Sequence, residues 1–324
     1  MATRQISTPT RSEINHAMNA VNKARRKYRA DQIIVTVLLI VGILVALYPM
    51  ASTLQNNNKL ARLTEEYAES VNVDSSETND QFLASARAYN EDLSRRPFTP
   101  PPIGEEVTHE RYAEYQSELS YNSPDDPMGT ITIPDANISL PVYHGTSDEI
   151  LYKGAGHLYG THLPVGGVGT TSAISAHTGM VNASMFDNLQ FLEIGQDAYI
   201  QVRGETLRYR MVERDVVPAT ATDAITKDPN RDLLVLITCT PYGINSDRLI
   251  VTMERVEHTG EVPETENTID GWQWWMTGSI ILVLIVLLIA IINAIMQRRR
   301  LVNAEKRYLN KHLGSNWSKK DLKA

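Results

Sequence analysis

Cysteine occurs once in the 324 residues, as Cys239 in "LLVLITCTPYGINSDRLIV", and Arg248 follows it nine positions later at the start of another apolar run. A thiol reacts as its thiolate, and a free thiol with pKa of about 8.5 is only slightly ionised at neutral pH. It therefore needs a base to take the proton and a cation to favour the anion. Arg248 supplies a permanent cation. His177, in "AISAHTGM", is the best-placed imidazole, because it too ends a β-type run and is followed by the loop residues Thr178 and Gly179. Thiol, imidazole and guanidinium together could form and break a covalent acyl-enzyme. The competing reading is a small buried hydrophobe and an unrelated histidine; the arginine on the return strand argues against it.

The elements that must position these groups are strands. "LLVLITC" is a continuous apolar run, as for a strand covered on both faces, with Cys239 at its end before the turn residues Pro241, Tyr242, Gly243 and Asn245. On the return run Leu249, Val251 and Met253 share one face and Arg248, Ile250 and Thr252 the other. A connection over 240–247 brings thiol and guanidinium to one end. From Met128 onward seven such runs ("GTITIP", "NISLPVY", "TSAISAH", "AYIQVRG", "LRYRMVERDVV", "LLVLITC", "RLIVTMERV") predict a mainly β, closed barrel. A hairpin is expected around Gly204 and Glu205, and one helical turn in "NASMFDNL", capped by Asn182.

The remaining histidines carry less. His144 and His157 sit beside glycines and read as loop residues, His162 precedes "LPVGG", and His109 and His258 have polar surroundings. His157 and His162 are five apart, a spacing found in zinc sites, but no further ligands cluster near them. No metal and no organic cofactor is expected. Upstream, Leu60, Leu63 and Tyr67, then Phe82, Ala86, Tyr89 and Leu93, mark two amphipathic helices joined by the acidic turn "DSSETND". "RRPFTPPP" (Arg95–Pro102) must be extended, and Asp126-Pro127 reads as a turn.

Two uncharged stretches, 33–50 and 276–296, are 18 and 21 residues long, enough to cross a bilayer as helices. Residues 1–31 hold seven Lys and Arg and residues 297–324 hold nine, so both termini are expected in the cytoplasm. Between the spans 15 basic residues face 34 acidic ones, a net of −19 for an outward domain. Trp272, Trp274 and Trp275 suit an outer interfacial belt. The first span is read as a retained anchor rather than a cleaved signal peptide, because its charged lead-in is about 30 residues long, although Ala46 and Ala51 are small. Basic tails beside spans signal orientation, and nothing points to nucleic acid. The expected organisation is a basic tail (1–32), an anchor (33–50), a helical stalk with a lid segment (51–127), a barrel (128–258), a linker (259–275), a second span (276–296) and a second basic tail (297–324).

"AISAHTGM", "VLITCTPYGINSDRLIV" and "IPDANISLPVYHGTSDEILYKGAGHLYGTHLPVGG", with the paired spans, resemble the sortases, the cysteine transpeptidases of Gram-positive bacteria, and specifically their pilus-assembling class C. The likeness covers about residues 86–256, with Val235 standing where the family usually has threonine. It implies an eight-stranded β-barrel with Cys239 as nucleophile, His177 as general acid/base and Arg248 as third member. It also implies pilin subunits with LPxTG-like sorting signals as partners, cleavage between Thr and Gly through a thioacyl-enzyme, and transfer to a pilin lysine. The class C lid places an Asp-Pro-aromatic triplet over the thiol. Here Arg96, Pro97 and Phe98 occupy that place, with arginine where the acid belongs. A housekeeping sortase joining proteins to the cell wall is the alternative within the family, and a tethered binding module with an inert cysteine the alternative outside it. The second span and the "RRPF" segment weigh against the housekeeping type.

Overall fold

The computed structural model describes residues 10–95, 100–120, 123–221, 225, 227–258, 262–263 and 274–313. The chain forms two compact units, Met50–Gln273 and the pair Met1–Pro49 with Trp274–Ala324.

The larger unit is a closed barrel in the order β1-β2-β3-β4-β7-β8-β6-β5. Its strands are β1 (Gly129–Ile133), β2 (Ile138–His144), β3 (Ala155–His157), β4 (Thr171–Ser175), β5 (Asp197–Val202), β6 (Glu205–Pro218), β7 (Leu233–Thr240) and β8 (Asp247–Val256). Seven follow the runs expected from alternation. β3 does not, because three residues, two of them Gly156 and His157, carry no readable period; His144 and His157 thus close strands β2 and β3 instead of lying in loops. The β5–β6 hairpin turns at Arg203-Gly204, one residue earlier than expected, with both at positive φ (45° and 83°) as a type I′ turn requires. The helical turn of "NASMFDNL" is a 3₁₀ turn at Asp187–Phe191 that begins beyond Asn182, preceded by Phe186, so Asn182 does not cap it.

β7 explains its own sequence. Leu234 and Leu236 enter the barrel core with Ile174 and Val251, while Val235 and Ile237 enter a second apolar cluster with Leu158, Ala173 and Ile250 on the outer face. With both faces buried, the run from Leu233 to Ile237 carries no polar residue, and the buried Thr238 that follows has its hydroxyl hydrogen-bonded.

Helix α1 (Arg11–Val73) crosses from one unit to the other, α2 (Ser76–Arg95) follows it, and α3 (Tyr112–Ser117) and α4 (Asp148–Lys153) are short. Arg203, fully buried, ties α1 and α2 to the hairpin: its guanidinium lies 3.9 Å from the Phe82 ring centroid, 3.3 Å from Asp74 and 3.1 Å from the Leu119 carbonyl. Its amide donates to the Tyr67 hydroxyl at 3.1 Å. Tyr115 of α3, also fully buried, lies 2.9 Å from His157 Nδ1. His157 Nε2 donates to the His162 carbonyl (2.8 Å), so Nδ1 is left to accept the phenol proton. His144 Nε2 donates to the Glu118 carbonyl at 2.8 Å.

In the smaller unit the outer part of α1 and α5 (Trp274–Leu313) run antiparallel. Ala17 packs with Leu309, Arg25 grips Glu305 through Nε and Nη2 (2.5 and 2.6 Å), and Gln32 meets Gln297 at 2.7 Å. Each helix is long and apolar enough to cross a membrane, and the apolar stretch of each is wholly unburied.

Burial lowers the pKa of His144 to about 4 and of His157 to about 3, against about 6.5 in an unfolded chain. Between about pH 3 and 6.5 the unfolded state therefore binds more protons, and stability rises with pH. Asp187, raised to about 6 by burial, acts in the opposite sense over a narrower range. The melting temperature of the barrel unit is expected to be flat above pH 7 and to fall steadily from pH 6.5 to 5, a trend that scanning calorimetry would check.

Candidate active site

Strand register places the three candidates. β7 and β8 are antiparallel with Cys239 paired directly to Arg248, and Ile237 to Ile250. The pairing runs one residue past the cysteine, to Thr240↔Asp247, so the connection is shorter than expected from sequence. β4 lies parallel to β7 on its other edge, with Ala173 level with Val235 and Ser175 with Ile237. The Ala176 amide continues the ladder to the Ile237 carbonyl (3.2 Å), and Thr238 Oγ1 donates to the Ala176 carbonyl at 2.8 Å. Two further residues bring His177 level with Cys239. Side chains two apart share a face, so Cys239 and Arg248 stand side by side on the outer face of β7 and β8, continuing Val235, Ile237 and Ile250, and His177, two residues past the end of β4, completes the row.

Each member is poised in its own way. Cys239 is half-buried and free. Burial lowers the pKa of His177, with the charge of Asp148 opposing, so the imidazole is neutral at pH 7. Its Nε2 is buried and has no hydrogen-bond partner, so no bond joins imidazole and thiol in this state; catalytic hydrogen bonds commonly tighten only when substrate is bound. The Tyr152 ring of α4 stands edge-on to it at 5.3 Å. Arg248 Nη1 donates to the carbonyls of Asp247 (3.1 Å) and Asn245 (3.4 Å) and forms no ion pair among the described residues, which leaves most of its fork for a ligand.

Beside the row lies a groove of about 90 Å³ lined by Leu158, Ile237, Ile250, Val217 and Arg248, with Pro100 to Ile103 along it. The Gly104 amide donates to the Thr146 carbonyl at 2.7 Å and anchors that segment. The lid candidates Arg96, Pro97 and Phe98 lie outside the described residues.

One acid went unnoticed in the sequence. Asp187, buried, accepts hydrogen bonds from the Gly179 amide (2.7 Å), the Thr178 hydroxyl and the Tyr242 hydroxyl. It thereby ties the loop after His177 to the loop after Cys239. The two loops approach closely at Gly179 and Gly243, both at positive φ; a Cβ on Gly179 would come within 3.4 Å of the Gly243 amide. A charged residue between Phe186 and Leu189 in an apolar run was the available signal. The His157 and His162 ring nitrogens are engaged with Tyr115, Thr161, Ser94 and Thr171, not gathered around a metal position.

Residues 131–256 match the sortase domain. Sortase C-1 of Actinomyces oris is 44% identical, with 56% of this chain covering 99% of that one at a TM-score of 0.53. The pilus-related sortase C of Group B Streptococcus is 32% identical, with shares of 61% and 100% and a TM-score of 0.54. The chain belongs to the sortase family. Its solved neighbours include class C sortases, which places it with that class. Sortase A of Streptococcus agalactiae is 29% identical over 145 residues, 44% of this chain, and the match spans only 58% of that relative's length. Sortases are cysteine transpeptidases, and a cysteine aligned with a histidine and an arginine is chemistry that such an enzyme requires.

Removing the Asp187 carboxylate leaves three donors unpaired, the buried Thr178 hydroxyl and the half-buried Gly179 amide and Tyr242 hydroxyl. Asp187→Ala is expected to cost about 2 kcal/mol in denaturant unfolding and to accelerate amide exchange at Gly179 relative to the amides of β4 and β7.

Proposed function

We propose that the chain is a membrane-anchored transpeptidase that cleaves LPxTG-like sorting signals between Thr and Gly and transfers the acyl group to a lysine amine of a pilin subunit. The observation that carries this reading is the alignment of His177, Cys239 and Arg248 on one face beside an apolar groove. The groove suits the Leu-Pro part of an extended sorting signal lying against the outer face of β7 and β8. Neutral His177 takes the Cys239 proton, and the thiolate attacks the threonine carbonyl. Arg248 holds the substrate backbone and stabilises the developing oxyanion. His177 then protonates the glycine amine as the C–N bond breaks, leaving a thioacyl-enzyme that the incoming amine resolves.

The anchoring places the barrel, near residues 128–258, outside the cell between spans at 33–50 and 276–296, with both termini in the cytoplasm. Antiparallel pairing of α1 and α5 supports this, since it sets the two basic tails on one side. In the pilus-assembling reading Arg96, Pro97 and Phe98 form a lid. The residues that follow, Pro100 to Ile103, lie along the groove that the sorting signal would use.

Two tests follow. With an LPxTG-type peptide, Cys239→Ala is expected to form no covalent adduct by intact mass, and Arg248→Ala to lower the acylation rate by roughly 100-fold or more; an adduct on the alanine variant would end the nucleophile assignment. Phe98→Ala is expected to speed labelling of Cys239 by a thiol reagent, and an unchanged rate would remove the lid.

A further inference from the structure

Whichever amine leaves or enters the thioacyl-enzyme must come within reach of His177, because one imidazole handles the proton of both. The acyl half is directed to the groove along Leu158, Ile237 and Ile250. The amine is therefore bounded by what stands against His177 itself, and that is α4. Its Tyr152 ring lies 5.3 Å from the imidazole and is 63% exposed. Asp148 stands four residues earlier, on the same helical face, and its charge acts on His177. The neighbouring Glu149 is taken by Lys153 at 2.8 Å, whereas Asp148 has no ion pair among the described residues. A free carboxylate and an exposed aromatic ring side by side are complementary to an alkylammonium: the acid attracts its charge from solution and the ring binds the desolvated cation.

We propose that Asp148 and Tyr152 form the acceptor side of the site and select a primary alkylammonium over neutral nucleophiles, including water. The inference rests on Cys239 being the acyl carrier. The ammonium gives one proton to His177, and the freed amine attacks the thioester carbonyl. As the C–S bond breaks, the sulfur departs with the electron pair and receives the second proton from nitrogen. His177 returns its proton to solvent, so ammonium and thioester become amide, thiol and one released proton.

The experiment uses the full chain in detergent, acylated by an LPxTG-type peptide and divided between two nucleophiles at pH 7.5. One is an Nα-blocked lysine amide, which is cationic; the other is hydroxylamine, which is neutral. The quantity measured is the ratio of lysine amide product to hydroxamate formed from one adduct pool. Asp148→Asn and Tyr152→Leu are each expected to lower the ratio several-fold, and the double variant roughly tenfold. Asp148→Glu is expected to restore it, and added salt to lower it in the unaltered chain but not in Asp148→Asn. An unchanged ratio in either variant, or an equal fall of both products, overturns the proposal. A normal adduct with an unchanged ratio overturns this assignment alone, whereas no adduct on the unaltered chain overturns the transpeptidase reading together with it.

Discussion

The register of β4 against β7 and of β7 against β8 is the constraint on which the site depends. Alternate residues of β7 are buried on opposite faces, Leu234 and Leu236 in the barrel and Val235 and Ile237 outside it. A slip of one residue would exchange the two sets and turn the thiol of Cys239 into the core. The inner set packs against Ile174 and Val251, and the outer set against Ala173 and Ile250, so both neighbouring strands resist the slip as well. The row proposed to react is thus aligned by apolar packing of Leu234, Leu236, Val235 and Ile237.

Electrostatics then refines what packing has placed. Burial lowers the pKa of His177 and so favours its neutral form, which suits the proposed role of first accepting a proton. Among the described residues Arg248 is occupied by two backbone carbonyls and by no anion, so its preference for an anion is unspent. Asp187 joins the loops on which His177 and Cys239 end, at the cost of burying a carboxylate. Three polar donors keep that cost tolerable.

Around the barrel the helices are held by polar groups inside apolar surroundings. Arg203 reaches Phe82, Asp74 and Leu119 from the tip of one hairpin, and Tyr115 reaches His157 from α3. Such contacts have specific geometry, so α1, α2 and α3 dock in one arrangement where apolar contact alone would permit several. The segment Pro100 to Ile103 lies along the groove and is anchored next to it by the Gly104 amide on the Thr146 carbonyl.

Much of this was legible in the linear chain, for physical reasons. Strand alternation is local, so seven of the eight strands, the facing of Arg248 with Ile250, and the ends where Cys239 and His177 sit could be read from spacing; the two long apolar stretches and the charge of their flanks are local too. β3 was missed because three residues have no period. The 3₁₀ turn was placed too early because Asn182 looked like a cap, whereas the turn begins at Asp187 after Phe186. Closure of the barrel, the parallel pairing that sets His177 level with Cys239, the tie through Asp187 and the approach of Tyr152 to His177 all join residues distant in sequence. By itself the sequence determined which residues could react and which elements carry them. Only the tertiary structure decided that they meet on one face, because long-range strand pairing is chosen by the burial of the whole barrel and leaves no mark in any single stretch of the chain.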